Sequence, residues 1–284
     1  MSARADRLRL TVLGCSTATP HPAFPASGYL LEWGETRLLL DAGQGVVRRL
    51  QGYMDPRDLS ALFVGHMHAD HYLDIVALRY IFPWGVAAPE RMPVYVPPGG
   101  RAKIDALATA VSERDGFFDM SYAIAEYDPG QTVAVGPLTV RFVRGRHYVP
   151  AWGFVVEAPD GGRVAYTGDT GPSEEVVEAV RGVDLLLVEA ALKRPSDDDL
   201  ERGHLTAEEA IALALRARVR SALLVHYAPS RRADLDALCE AAGPWITPGV
   251  AGEAVTVDPV APARPTDPPY APRAAASAAS ALDR

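Results

Sequence analysis

Apolar and polar positions alternate in short runs through the first third of the chain. Residues 8–13, 28–33 and 36–40 each read as a strand, and Gly34-Glu35 between the last two has the form of a hairpin turn. A short helix at 46–51 is followed by the apolar run Ser60-Ala61-Leu62-Phe63-Val64, a buried strand. Leu73, Ile75, Val76, Leu78 and Ile81 recur at helical spacing, which predicts a helix over 72–81 that Pro83 stops. Strands at 93–96, 123–127, 133–135, 138–143, 153–157 and 164–167 accompany a helix at 101–111. The pattern then switches to helices at 173–181, 206–217 and 231–242 alternating with strands at 184–189, 221–226 and 254–257. Thr206-Ala207-Glu208-Glu209 has the form of a capping box, so the start of that helix is the sharpest boundary in the chain.

Two strand-rich halves, each ending in helices, imply an α/β chain in which two sheets pack together under outer helices, a four-layer αββα sandwich over residues 1–257. From Asp258 the chain reads DPVAPARPTDPPYAPRAAASAASALDR, too poor in large aliphatic residues to build a core, so 258–284 is expected to be a disordered Pro/Ala-rich tail. Composition narrows the function classes. Hydrophobic residues make up 48% of the 284, enough for a sizeable core, and the formal charge of −8 opposes the basic footprint of a protein that grips many backbone phosphates. Two cysteines, Cys15 and Cys239, are too few for a disulfide framework and are expected to be reduced and buried. Arg4, Arg7 and Arg9 precede an apolar stretch shorter than the roughly 7–15 residues of a signal peptide, and no run approaches the ~18 apolar residues of a membrane span. A soluble cytoplasmic protein is therefore expected.

The chemistry concentrates at residues 65–71, GHMHADH, which hold three of the seven histidines. In an extended segment residues two apart point to the same side, so His66 and His68 can present both imidazoles to one point. Asp70 and His71, at the turn into the next helix, can face a second point nearby. A lone histidine there would read as a helix cap or a satisfied turn. Four ligand-type side chains within six residues instead suggest a dinuclear metal site, because neutral imidazole with carboxylate is a preferred zinc set. His147, His204 and His226 also fall at strand ends or loops, and Asp169 in Thr167-Gly168-Asp169-Thr170 is the carboxylate best placed to bridge two ions.

The ordered set LLLDAGQG, GHMHADH, RHYVPAWGF, YTGDT, LLVEA, GHLTAEEA and LVHY resembles the metallo-β-lactamase superfamily, in particular its phosphodiesterase branch with ribonuclease Z, over about residues 8–257. The resemblance implies that His66, His68 and His147 hold one metal and Asp70, His71 and His226 the other, with Asp169 shared. It implies two divalent ions, zinc by ligand type with manganese or iron as alternatives. Asp41 matches an aspartate that supports the ligand loop from behind. His204 matches a histidine near the scissile phosphate, and Glu189 stands where a carboxylate could orient it, so Asp70, His204 and Glu189 form the expected catalytic set. Six of the seven histidines thus fall on motif positions, and His21 is left as a surface residue.

In bacterial ribonuclease Z a long arm that grips precursor tRNA is inserted between the segments matching His147 and Asp169. Here those residues are 22 apart and the interval reads as a compact strand pair around Asp160-Gly161-Gly162. With the acidic charge, this favours a small phosphodiester such as a cyclic nucleotide over tRNA 3′ processing or any long nucleic acid. Hydrolysis of a thioester, lactone or β-lactam on the same fold is the other alternative, disfavoured by His204. Tyr80, Phe82, Trp84, Tyr148 and Trp152 cluster near the motifs as candidates for a base-stacking wall or for core. Residues 81–84 are the candidate contact of a homodimer.

Overall fold

The computed structural model describes residues 6–81, 91–198 and 202–257. Phe82, Trp84, the helix stop at Pro83 and the segment from Asp258 lie outside the described residues. The first sheet contains β1 (Leu8–Gly14), β2 (Gly28–Trp33), β3 (Thr36–Leu40), β4 (Ala61–Phe63), β5 (Met92–Val96) and β6 (Tyr122–Glu126), in that spatial order. The second contains β7 (Thr132–Val135), β8 (Leu138–Arg144), β9 (Trp152–Glu157), β10 (Arg163–Tyr166), β11 (Leu185–Glu189), β12 (Ser221–Val225) and β13 (Ile246–Pro248), also in order. The last strand, β14 (Ala254–Val257), crosses back to pair antiparallel with β1 and closes the first sheet. The hairpin at Gly34-Glu35 is present, with Trp33 opposite Thr36 and Gly34 at φ 55°.

Period-two alternation explains why these strands read as nearly continuous apolar runs. In β2 and β3, Tyr29, Leu31, Leu38 and Leu40 face the second sheet, while Leu30 and Leu39 face a separate cluster under the outer helices. Both faces are buried, so no polar face interrupts the pattern. The outer cluster is closed by α1 (Val46–Leu50), α3 (Ile75–Arg79) and α4 (Gly100–Val111), which bury Val46, Ile75, Leu78 and Ile104. On the other side α5 (Glu174–Ala179), α6 (Ala207–Arg216) and α7 (Arg232–Ala242) cover the second sheet. The result is the αββα sandwich. Both cysteines are free and buried, and among the described residues no helix is long and apolar enough to cross a membrane.

Between the sheets Phe154 is fully buried, its ring 5.9 Å from that of Phe63 and 6.3 Å from that of Tyr166. Phe154→Ala removes a ring from a layer that cannot collapse without moving two sheets, and it is expected to cost about 3–5 kcal/mol of unfolding free energy, read from the urea midpoint at unchanged m-value.

Two elements depart from the sequence pattern. The helix expected over 72–81 is broken into α2 (Ala69–Tyr72) and α3. The Asp74 amide donates to Ala42 O at 2.9 Å instead of the carbonyl one turn back, and the Asp74 carboxylate accepts from Val47 N–H at 2.8 Å at the start of α1. A tertiary partner thus diverts both groups from helix continuation. The strand β13 leaves no pattern in the sequence because it is three residues long and contains Pro248, poor credentials for a ladder. At Thr206 the capping box forms as expected: its hydroxyl accepts from Glu209 N–H while the Glu209 carboxylate accepts from Thr206 N–H.

The topology gathers strand ends at one edge. β3, β4 and β5 run parallel, as do β10, β11 and β12, and β8 shares the direction of β10 because both are antiparallel to β9. The segments that follow β3, β4, β8, β10 and β12 therefore emerge together, at the carboxyl ends where open α/β sheets place their ligands.

Candidate metal centre

Asp41 directly follows β3, the run His66 to His71 follows β4, His147 follows β8, Asp169 follows β10, Glu189 ends β11 and His226 follows β12. Their side chains converge, although 160 residues of sequence separate His66 from His226. His68 Nδ1 stands 3.1 Å from His66 Nε2 and 3.0 Å from His147 Nε2. His71 Nε2 is 3.7 Å from Asp70 Oδ2, which is 3.9 Å from His226 Nε2. Asp169 Oδ2 lies between the two groups, 3.6 Å from His66 Nε2 and 3.9 Å from His147 Nε2 on one side, 3.3 Å from His71 Nε2 and 3.4 Å from His226 Nε2 on the other. Asp169 Oδ2 thus lies between two triplets formed by the other six side chains.

These residues fit a pair of cations. Donors bound at 2.0–2.1 Å to a tetrahedral zinc stand roughly 3.3 Å from one another, close to the spacings here. Ring nitrogens that face each other at 3.0–3.1 Å cannot all be protonated, and His68 Nδ1 faces two of them. His71 Nε2 and Asp169 Oδ1 are buried with no hydrogen-bond partner among the described residues. Orphaned polar atoms of this kind are costly unless something else takes their lone pairs, and a cation does so.

The opposite ring nitrogens of His71, His147 and His226 are held from behind, which fixes which nitrogen faces the centre. His71 Nδ1–H donates to Asp41 Oδ2 at 2.7 Å, and His147 Nδ1–H donates to Gly203 O at 2.7 Å. His226 Nδ1 pairs with the Ser27 hydroxyl at 3.1 Å. Asp41 is fully buried and also accepts from Gly65 N–H at 2.8 Å and Tyr166 O–H at 2.9 Å, tying the ligand loop to both sheets. Asp41 and His226 sit at φ 60° and 51°, in the left-handed region that non-glycine residues rarely adopt. Such strain persists only where surrounding contacts hold it, and here those contacts are the hydrogen bonds just named.

Electrostatics divide the cluster. Burial drives His66 well below the ordinary imidazole range and His226 down to about 4. Burial would raise Asp169, but His226, His71 and His66 outweigh it and hold the carboxyl well below the usual range. His204 goes the other way. Burial works to lower it, yet its hydrogen bond and charge interaction with Glu189, helped by Asp169, push it up to about 9. Burial raises the fully buried Glu189 carboxyl. All four of its contacts are nevertheless donors, from His204 Nδ1 at 2.8 Å and from the amides of Thr170, Ala191 and Leu205 at 2.9, 3.1 and 3.2 Å, and these hold the pair as carboxylate and imidazolium. The His204 ring lies parallel to that of His226, 5.6 Å between centroids, with Nδ1 4.0 Å from Asp169 Oδ2.

The sequence reading missed several groups. Ser27 carried no signal, since a serine in a Pro-rich loop has many ordinary uses. The Gly203 carbonyl and the Tyr166 hydroxyl lie inside quoted motifs but reveal nothing until the strand ends meet. Asp198 accepts from the Tyr148 hydroxyl and from Gly203 N–H at 2.8 Å, which ties the loop before His204 to the loop after His147. A Cβ on Gly171 would stand 1.6 Å from Arg202 O, so the loop leading to His204 packs directly on the Asp169 turn. The aromatic cluster divides: Trp152 belongs to the core with Arg144 over its ring, while Tyr148 is 40% exposed and its ring lies 4.8 Å from that of His147. His21 stays outside the cluster.

Comparison with known proteins agrees with this architecture. The family model described as the beta-lactamase superfamily domain matches residues 36–227. The Mycobacterium tuberculosis protein Rv1339 is 35% identical over 237 residues, covering 78% of this chain and 81% of its own. Ribonuclease Z of Haloferax volcanii is 30% identical over 286 aligned positions, 83% of this chain and 89% of its own. Among solved structures, the metallo-beta-lactamase fold protein YhfI from Bacillus subtilis matches with a TM-score of 0.74 at 24% identity, covering 88% of this chain and 100% of that one.

Proposed function

From a chain that belongs to the metallo-β-lactamase superfamily of metal-dependent hydrolases, on the side that includes ribonuclease Z, we infer a phosphodiesterase acting on small phosphodiesters such as cyclic nucleotides. In this reading His66, His68 and His147 hold one divalent cation, Asp70, His71 and His226 hold a second, and Asp169 is common to both. Zinc suits the imidazole-rich set, with manganese and iron as alternatives. When bound there, the pair supplies Lewis acidity toward a phosphoryl oxygen and makes water nucleophilic near neutral pH.

The observation that carries the reading is His204. Its imidazolium, held by the buried Glu189 beside Asp169, can bind the extra charge of a phosphoryl transition state and give its proton to the departing alkoxide. Acyl hydrolysis expels a leaving group from a carbonyl and can do without such a group. Asp70 closes the second triplet next to the reacting centre, and Tyr148 stands at the rim.

A small substrate is supported by the interval between His147 and Asp169, which is occupied by the antiparallel pair β9 and β10 turning at Gly161. That turn leaves no room for an inserted arm to grip tRNA at this place. The test is a panel of bis(p-nitrophenyl) phosphate, a cyclic mononucleotide, precursor tRNA, a thioester and a lactone, offered to the metal-loaded protein. Turnover of the small phosphodiesters is expected. Cleavage confined to the thioester and lactone, or precise trimming of the tRNA at rates above those for small esters, overturns the reading.

Asp41 offers a separate check on the ligand assignment. Asp41→Asn keeps size and tolerates the left-handed backbone but places an amide where three donors now point. Metal affinity, read by competition with a chromophoric chelator, is expected to fall about 10–100-fold while the fold persists.

A further inference from the structure

Most of the ligand-type cluster is closed to solvent. His66, Asp70, His71, Asp169 and His226 are buried, and the side chain of His147 is closed off as well. His68 is half-buried and the His204 side chain is 18% exposed. Both rings flank His147, each 4.8 Å from it between centroids, so a substrate reaches the cluster past this pair. Tyr148 stands at the same opening, its ring 4.8 Å from that of His147 and 5.7 Å from that of His204. Among the described residues it is the exposed aromatic side chain in ring contact with the cluster.

The Tyr148 ring is held as a fixed plate. Its hydroxyl donates to Asp198 Oδ2, which also accepts from Gly203 N–H at 2.8 Å. One face of the ring rests on Gly203, where a Cβ would stand 2.6 Å from Cζ and 2.8 Å from each Cε. The same glycine supplies the carbonyl that receives His147 Nδ1–H. With one face covered, the 40% of Tyr148 that is exposed belongs to the opposite face and the free edge. Anchoring the loop before His204 accounts for the hydroxyl and the covered face. It does not account for aromatic surface left open at the mouth of the site.

If His204 protonates the departing oxygen, the departing alcohol lies against His204. The water oxygen forms the new bond to phosphorus, and the bond to the leaving oxygen breaks with its electron pair on that oxygen. The leaving oxygen takes the His204 proton, and a proton of the water restores the imidazolium. The group carried by the leaving oxygen is therefore the part of the substrate next to Tyr148. A fixed aromatic face holds a base by stacking, without reading its hydrogen-bonding edge. We propose that Tyr148 is a specificity residue whose open face stacks the base of the nucleoside that carries the leaving oxygen, which makes nucleotides, rather than diesters of any small alcohol, the substrate class. The proposal rests on the phosphodiesterase reading and deepens it.

The test compares adenosine 3′,5′-cyclic phosphate with the same cyclic ribose phosphate carrying hydrogen in place of the base. On the metal-loaded enzyme the base is expected to raise kcat/KM about tenfold or more. In Tyr148→Leu this ratio is expected to fall close to one. In Tyr148→Phe, which keeps the ring and gives up the bond to Asp198, it is expected to be largely retained. A residue that only anchors the loop would change both rates alike and leave the ratio where it was. Wild-type protein supplies a second measurement that needs no variant. Uridine 3′,5′-cyclic phosphate is expected to react faster than its 5,6-dihydro form, which shares the hydrogen-bonding groups but has lost the flat aromatic ring. A wild-type ratio near one, a ratio that survives in Tyr148→Leu, or equal rates for the uridine pair overturns the proposal, while cleavage of the base-free diester leaves the phosphodiesterase reading standing. If no phosphodiester is cleaved, calorimetric binding of AMP against ribose 5-phosphate decides. Base-dependent binding that Tyr148→Leu loses keeps the stacking plate and discards the phosphodiesterase reading, and its absence discards both.

Discussion

Asp169→Ala is expected to leave a folded protein that holds less than one metal ion per chain and loses on the order of a thousandfold or more in kcat/KM on any ester it cleaves. A single Asp169 oxygen lies within 3.3–3.9 Å of four imidazole nitrogens, two from each triplet. Losing a partner that merely orients a ligand costs about 10–100-fold in metal affinity. Loss of a shared ligand acts on both ions at once, so the two factors multiply. The carboxylate is also the only anion among the described residues placed between the two triplets, and without it six close donors would have to hold two dications with Asp70 alone for charge. Elemental analysis of the purified variant beside the wild type reads the outcome. Two ions per chain retained in Asp169→Ala would remove the basis for a shared site.

His204→Ala is expected to keep both ions and lose about 10²–10⁴-fold in kcat on diesters with alkoxide leaving groups. The loss should be smaller on bis(p-nitrophenyl) phosphate, because nitrophenolate departs without a proton. That contrast separates proton donation from simple packing, which would affect both esters alike. The pH profile gives a second signature. Burial favours neutral imidazole, but Glu189 and Asp169 together raise His204 above its ordinary range, so the competent imidazolium is present at neutral pH. Activity that depends on it falls as pH rises through its pKa, and this alkaline limb should vanish in the variant. Equal losses on both esters with the limb intact would reduce His204 to a structural residue.

Much of this centre could be read from residues close together in sequence. GHMHADH crowds ligand types beyond what capping or turns require, and Glu209 three residues after Thr206 marks a helix start because both partners of that box lie within one turn. The strand runs were visible because both faces of most strands are buried. Reading fails where the deciding partner is remote. Nothing in 72–81 foretells that the Asp74 amide takes the Ala42 carbonyl. His21, set aside as surface, is exposed as expected but lines a cleft beside α1, a feature built from two segments that no local pattern connects.

The sequence by itself determined the strand and helix periods, the supply of ligating side chains and the order in which they occur, because each depends on neighbours within a few bonds or one helical turn. Only the tertiary structure decided that one Asp169 oxygen lies between two triplets of ligand-type side chains and that Ser27 and Gly203 hold two of the imidazoles. Those facts depend on two sheets aligning the ends of parallel strands at one edge. Such alignment is set by ladder register and by packing between layers, and both are properties of the whole chain at once.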